Sequence, residues 1–283
     1  MKHIWDSFRD GAQKGQEAEI SLTVSSSLTK EQKTQLAEQS EQCFAAHLER
    51  TAQQLAAQQA LRVIWLSGPT CSGKTTTASM LCERLLRLGH RVHAVSIDNY
   101  YLDRSLLTAR AGNADVDYES VQAIDFTALG QTLERILTLQ KLSLPVYDFL
   151  SGKRVGYQDV EPEKGDIFLF EGIQAIYPQI TALIPRCNAC GIFISPGSIR
   201  VNGVLFCAEE LRLMRRIVRD AKFRGVKAEQ TLALWESVRK NEDKNIFPYT
   251  DALDIHISSS FAYELFVIKP LLEQELSNAA ILD

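Results

Sequence analysis

The sequence predicts an α/β fold, a doubly wound and mainly parallel sheet flanked by helices, and three observations predict it. Short apolar runs alternate with helical patterns from residue 60 onward, as strands joined by helical crossovers do. The stretch GPTCSGKT (68–75) sits between one such run and one such helical pattern. Hydrophobic residues make up 45% of the 283, enough to build a substantial core in one large domain with an appendage. The expected organisation is a polar segment and long helix over 1–59 and an α/β domain over 60–283.

Residues 1–28 are polar and mixed, with SLTVSSSL as a small-residue linker, a composition expected of a poorly ordered segment. Residues 29–59 contain no Gly or Pro. Thr29 and Gln32 resemble a capping box, and Leu36, Phe44, Leu48 and Leu55 give a narrow apolar stripe. A long helix is expected there, packed on the main domain or on a second copy of the chain. LRVIWLS (61–67) reads as a buried strand, KTTTASMLCERLLRLG (74–89) as a helix closed by Gly89, and RVHAVSID (91–98) as the next strand. FTALGQTLERILTLQ (126–140) reads as helix, and DIFLFEG (166–172) and GIFIS (191–195) as strands. EELRLMRRIVRDAKF (209–223) and AEQTLALWESVRK (228–240) are helical, and LDIHISS (253–259) is a last strand. AYELFVIKPLLEQEL (262–276) is a last helix that Pro270 is expected to kink or split.

Composition narrows the function. Acidic residues (35) slightly exceed basic ones (31), a net charge of −4, so nothing overall calls for nucleic acid or an anionic membrane as partner. The start, MKHIWDSFRDGAQKG, lacks the apolar core of a signal peptide. No run approaches the ~20 apolar residues of a membrane span, and a cytoplasmic location is expected. Of six cysteines, only Cys187 and Cys190 form a C-x-x-C pair. One pair without further ligands is half a zinc site, so these are read as small buried side chains near a strand.

Gly68, Gly73, Lys74 and Thr75 match G-x-x-x-x-G-K-[ST]. Such a loop turns its backbone N–H groups inward and places a helix N-terminus behind them, a concave site for phosphates. The expected cradle is Gly68, Pro69, Thr70, Cys71, Ser72, Gly73, Lys74, Thr75 and Thr76, with ATP and Mg²⁺ as cofactors. Lys74 would reach the terminal phosphates and the Thr75 hydroxyl the metal. Asp98 and Glu171 end predicted strands, where an open parallel sheet borders its ligand crevice. Both are expected to face the metal, and Asp98 is the candidate base for an acceptor hydroxyl. RLMRRIVRDAKFR (212–224) places Arg212, Arg215, Arg216 and Arg219 on one helical face. Three readings of that face stand open: a mobile lid that neutralises transition-state charge and excludes water, a basic helix for RNA or DNA, and a solvated surface.

Together the P-loop, DNYY, LPVYDFLSGKR, DIFLFEGI and RRIVRDAKFRG resemble the uridine kinase and phosphoribulokinase family of P-loop kinases, with uridine–cytidine kinases closest in motif order. The resemblance spans roughly residues 61–276 and implies an α/β P-loop kinase fold with an Arg-rich helical lid, acting on a small-molecule hydroxyl acceptor. It implies that Asp98 is the base and a metal partner, that Glu171 lies near the metal, and that Asp117 or Glu119 holds ribose hydroxyls. Tyr101, Tyr147 and Phe149 would bind the acceptor, and Arg216, Arg219 and Arg224 would be lid arginines, with Arg216 also touching the acceptor. Three departures matter. Gly152, Val226 and Leu234 stand where that resemblance expects a histidine, an arginine and a glutamine. The expected acceptor is a nucleoside 5′-hydroxyl, with a sugar phosphate, a pantothenate-like acid or another polyol as alternative. A nucleotide-binding regulator, or an ATPase associated with nucleic acid through the basic helix, is the rival from another class.

Overall fold

The computed structural model describes residues 19–23, 28–111, 118 and 120–278. In chain order it begins with β1 (Glu19–Leu22), α1 (Lys30–Ala56), β2 (Val63–Ser67), α2 (Lys74–Arg87), β3 (Val92–Ser96) and α3 (Arg104–Ala111). There follow α4 (Phe126–Thr138), β4 (Leu142–Asp148), β5 (Lys153–Val160), β6 (Ile167–Glu171), the short α5 (Pro178–Thr181) and β7 (Ala189–Ser195). β8 (Ser198–Val201), β9 (Val204–Phe206), α6 (Ala208–Arg224), α7 (Ala228–Asn245), β10 (Ile255–Ser258) and α8 (Glu264–Asn278) complete it.

Five of these strands form a wholly parallel sheet in the order β10–β7–β2–β6–β3. β2 is buried at all five residues, as a strand covered on both faces must be. Its side chains divide by the two-residue period. Val63 and Trp65 join Val95, Phe168, Phe170 and the α4 residues Leu129, Leu133 and Ile136 on one face. Ile64 and Leu66 join Leu169, Ile192, Ile194 and the α2 residues Leu81 and Leu85 on the other. After β2 the chain runs to β3 on one side, and after β6 it crosses to β7 on the other. This reversal places a ligand crevice at the C-terminal end of β2.

The N-terminal helix packs on the main sheet. Leu48, Ala52 and Leu55 of α1 are fully buried within the Ile64–Leu81 core, each leucine contributing about 1.5–3 kcal/mol of burial. The expected capping box is present: Gln32 N–H donates to Thr29 Oγ1 at 3.3 Å and Thr29 N–H to Gln32 Oε1 at 2.9 Å.

Part of the expected linker is structure. β1 pairs in parallel with β8, which pairs antiparallel with β9. Ile20 and Leu22 bury against Ile199, Leu211 and Ala262 beneath α6, so alternation over only four residues was enough for a strand. Residues 1–18 lie outside the described residues. Pro270 does not split the last helix. It removes one backbone bond, while Leu265 and Phe266 before it pack against Leu211 and Met214. The C-x-x-C pair is divided, with Cys190 buried on β7 and Cys187 exposed, and all six cysteines are free. Burial pushes the Cys190 thiol up to about 12 and the Cys82 thiol to about 11, so neither is a thiolate near neutrality.

Candidate active site

Residues 68–73 leave the end of β2 and lead directly into α2. Gly68 passes so close to β7 that a Cβ there would stand 2.0 Å from the Ile194 carbonyl oxygen, a contact no side chain tolerates. Cys71 bends the loop with φ +59°, and Gly73 follows at +90°. The first-turn amides of α2, which a helix leaves without internal acceptors, follow directly. The Lys74 ammonium donates to the carbonyls of Gly68 (2.7 Å) and Pro69 (3.0 Å). Burial pushes its pKa down, while Glu171, Cys71, Asp98 and Glu242 pull it back up.

The two carboxylates meet as the strand register dictates. Ser96 of β3 pairs with Glu171 of β6, and Leu66 of β2 pairs with Glu171 from the other side. Asp98 follows in the 3₁₀ turn Ile97–Tyr100. Thr75 Oγ1 lies 3.5 Å from Glu171 Oε1. Burial raises the Glu171 pKa, Lys74 lowers it, and the nearby Asp98 charge raises it again. Burial likewise raises the Asp98 pKa, opposed by a hydrogen bond from Tyr101 and by Lys74. Two carboxylates and a hydroxyl gathered beside a phosphate cradle suit a hard, oxygen-loving cation.

The four arginines expected on one face divide into two pairs, and Arg224 joins the second. Arg212 and Arg215 turn to the loop and its surroundings, with Arg212 Nη1 3.3 Å from the Thr70 carbonyl and Arg215 Nη1 3.1 Å from the Cys71 carbonyl. Arg216, Arg219 and Arg224 converge on Asp220, a buried residue of their own helix, at 3.3, 2.7 and 3.5 Å. Three guanidinium groups around one carboxylate leave an excess of positive charge, and Arg216 Nε is buried without a hydrogen bond.

Beyond Asp98 the crevice is walled by rings. β4 and β5 form an antiparallel ribbon that carries Tyr147 on β4, and Phe149 follows in the turn between the strands, their ring centroids 5.3 Å apart. Tyr101 stands 5.8 Å from Tyr147 and 6.1 Å from Phe149. Tyr147 is buried and its hydroxyl has no partner, whereas Phe149 is exposed. The structure therefore brings Lys74, Thr75, Asp98, Glu171, Tyr101, Tyr147 and Phe149 to one crevice. Asp117 and Glu119 lie outside the described residues.

Several neighbours carry no motif. Gln174 Nε2 donates to the Tyr101 hydroxyl at 2.7 Å. Gly152 adopts φ +68°, and a Cβ there would fall 2.7 Å from Arg104. Arg104 covers that position, donating to the carbonyls of Phe149 and Leu150 and to the Tyr118 hydroxyl. The only trace of these residues in the sequence is the glycine that makes room for Arg104.

A family model, Phosphoribulokinase / Uridine kinase family, matches residues 63–262. Uridine-cytidine kinase C of Dictyostelium discoideum is 27% identical over 171 residues, covering 60% of this chain and 32% of that protein. The uridine kinase of Schizosaccharomyces pombe is 30% identical over 172 residues, covering 58% and 33%. The match thus spans about a third of either relative. The uridine kinase of Ureaplasma parvum is 25% identical over 175 residues, covering 62% of this chain and 76% of that one. Among solved structures, YFH7 from Saccharomyces cerevisiae superposes with a TM-score of 0.54 at 13% identity, over 81% of this chain and 99% of that one. A candidate fructose transport system kinase from Silicibacter sp. TM1040 does so at 0.51 and 18%, over 75% and 95%. At such identities these two likenesses show a common fold. With the family's model matched from β2 to the start of α8, the chain belongs to the phosphoribulokinase/uridine kinase family of P-loop kinases.

Proposed function

We propose that this protein is an ATP- and Mg²⁺-dependent kinase that transfers the γ-phosphate to a hydroxyl of a small molecule, with a uridine- or cytidine-like 5′-hydroxyl as leading acceptor. One neighbourhood supports the reading: the Lys74 charge acts on Asp98 from the loop, and Tyr101, which packs against Tyr147 and Phe149, hydrogen-bonds it.

The loop amides and the α2 N-terminus bind the triphosphate, and Lys74 exchanges the Gly68 and Pro69 carbonyls for phosphate oxygens. Thr75, Asp98 and Glu171 fit a bound Mg²⁺, which would neutralise charge on the phosphate oxygens. Asp98 takes the proton of the attacking hydroxyl, and its raised pKa makes it a stronger base than an exposed aspartate. Tyr101, held by Gln174, orients that carboxylate. Tyr147 and Phe149 offer ring faces to a flat acceptor. Arg216, Arg219 and Arg224 supply positive charge as the phosphoryl group moves, and their helix shields it from water. We place the reaction in the cytoplasm, without a nucleic-acid partner; no described helix is long and apolar enough to cross a membrane.

Arg104 favours a second reading. Its guanidinium covers the Gly152 position, and Leu234 is exposed rather than turned into a pocket. An acidic or phosphorylated polyol would satisfy Arg104 better than a neutral base does. ADP release measured over ribonucleosides, sugars, sugar phosphates and hydroxy acids decides between the two. The proposal expects one class to stimulate release many-fold. ATP hydrolysis that ignores every small molecule and responds to polynucleotide would overturn it.

A further inference from the structure

Glu242 is 1% exposed on a helix that buries only Ala228, Thr231 and Glu242 itself. A charge sunk into so exposed an element needs a reason, because a buried ion pair seldom stabilises a fold more than apolar residues would. Its two oxygens take four donors. Oε1 accepts from Arg212 Nη1 at 2.6 Å and from the Thr70 backbone N–H at 3.1 Å. Oε2 accepts from Arg212 Nη2 and Arg239 Nη1, both at 2.9 Å. Thr70 lies 172 positions away in the chain, inside the phosphate loop.

The same cluster grips the loop's carbonyls. Arg212 Nη1 also donates to the Thr70 carbonyl (3.3 Å), and Arg215 Nη1 donates to the Cys71 carbonyl (3.1 Å). Arg215 is fixed in turn by the Ser259 carbonyl at 2.7 Å and by Glu264. Between those contacts lies Cys71, a non-glycine residue at φ +59°. A left-handed residue with a side chain is strained and persists only where its surroundings hold it. A bend of this kind beside a helix N-terminus is where successive backbone N–H groups can form an anion nest.

We propose that Glu242 is a positioning residue for the phosphate cradle. With Arg212 and Arg215 it clamps the Thr70–Cys71 backbone, so that the loop amides are aimed before nucleotide arrives. The clamp also ties the base of α6 to the loop, one turn before Arg216. This inference rests on reading residues 68–75 as a nucleotide cradle.

The test is MgADP binding by calorimetry, without acceptor, on the full chain. Glu242→Gln keeps the shape and removes the charge. Affinity is expected to fall roughly tenfold or more, the consequence of leaving charged partners unpaired, and the KM for ATP to rise in step while the acceptor KM holds. Glu236→Gln, an exposed change on the same helix, is expected to bind as the unaltered protein does. Arg212→Met with Glu242→Leu removes both charges and is expected to keep or regain thermal stability yet still bind MgADP weakly, since nothing then holds Thr70. That double variant carries the test if Glu242→Gln fails to fold. Unchanged affinity in folded Glu242→Gln, or full affinity in the double variant, would overturn the proposal. If the unaltered protein does not bind MgADP, the cradle reading itself falls and this inference with it.

Discussion

At residues 68–75 the proposed cradle is built mainly from backbone, with the Lys74 and Thr75 side chains added to it, whereas at Tyr101, Tyr147, Phe149 and Arg104 the groups are side chains assembled from distant segments. The two halves of the crevice obey different rules. A nest of amides constrains sequence at fixed spacing, because only glycine passes Ile194 at position 68. A pocket of side chains constrains sequence far less, because a ring or a guanidinium can reach the same point from several backbones. One half of the crevice is therefore common to many phosphate-binding chains, and the other carries what distinguishes this protein.

Substitutions should separate the halves. The largest effect is expected from Asp98→Asn at their junction. Transfer should fall by about 10²–10⁴-fold, the range of a lost general base, while calorimetric affinity for metal-free ADP changes little. If turnover persists, the base lies elsewhere. A smaller effect, roughly tenfold, is expected from Arg104→Ala. The acceptor KM should rise while the KM for ATP stays constant. A change in both would show that the ribbon and the cradle are not independent.

The smallest effect is a shift in pH dependence. Transfer requires Asp98 deprotonated, and burial raises its pKa. Activity should therefore fall with decreasing pH at a point above the ~3.9 of an ordinary aspartate. An acid limb of kcat/KM at or below that value would mean that Asp98 is not the titrating base.

The same division explains what could be read in the sequence. The five sheet strands, the strand–loop–helix junction at 68–75 and Glu171 at the end of β6 were legible, because periodicity and glycine spacing are local signals; Asp98, expected to end β3, instead lies two residues beyond it in the turn Ile97–Tyr100. β5 was not. KRVGYQDV leaves most of its residues exposed or half-exposed, while Leu142, Leu144 and Tyr147 of β4 make most of the ribbon's core contacts. The arginine helix was half legible. Its spacing gave a common face, but what lies opposite each guanidinium depends on tertiary contacts. Glu242 takes Arg212, Ser259 and Glu264 take Arg215, and Asp220 gathers Arg216, Arg219 and Arg224. Gln174 and Arg104 were missed for the same reason, having no motif beyond the bare Gly152.

The central claim is that the cradle hands its terminal phosphate to an alcohol held beside Asp98 rather than to water. Phosphorus NMR of the products, with ATP and the acceptor that best stimulates ADP release, tests it directly. The account predicts a new phosphate monoester formed in equal amount with ADP. ADP accompanied only by inorganic phosphate would contradict it.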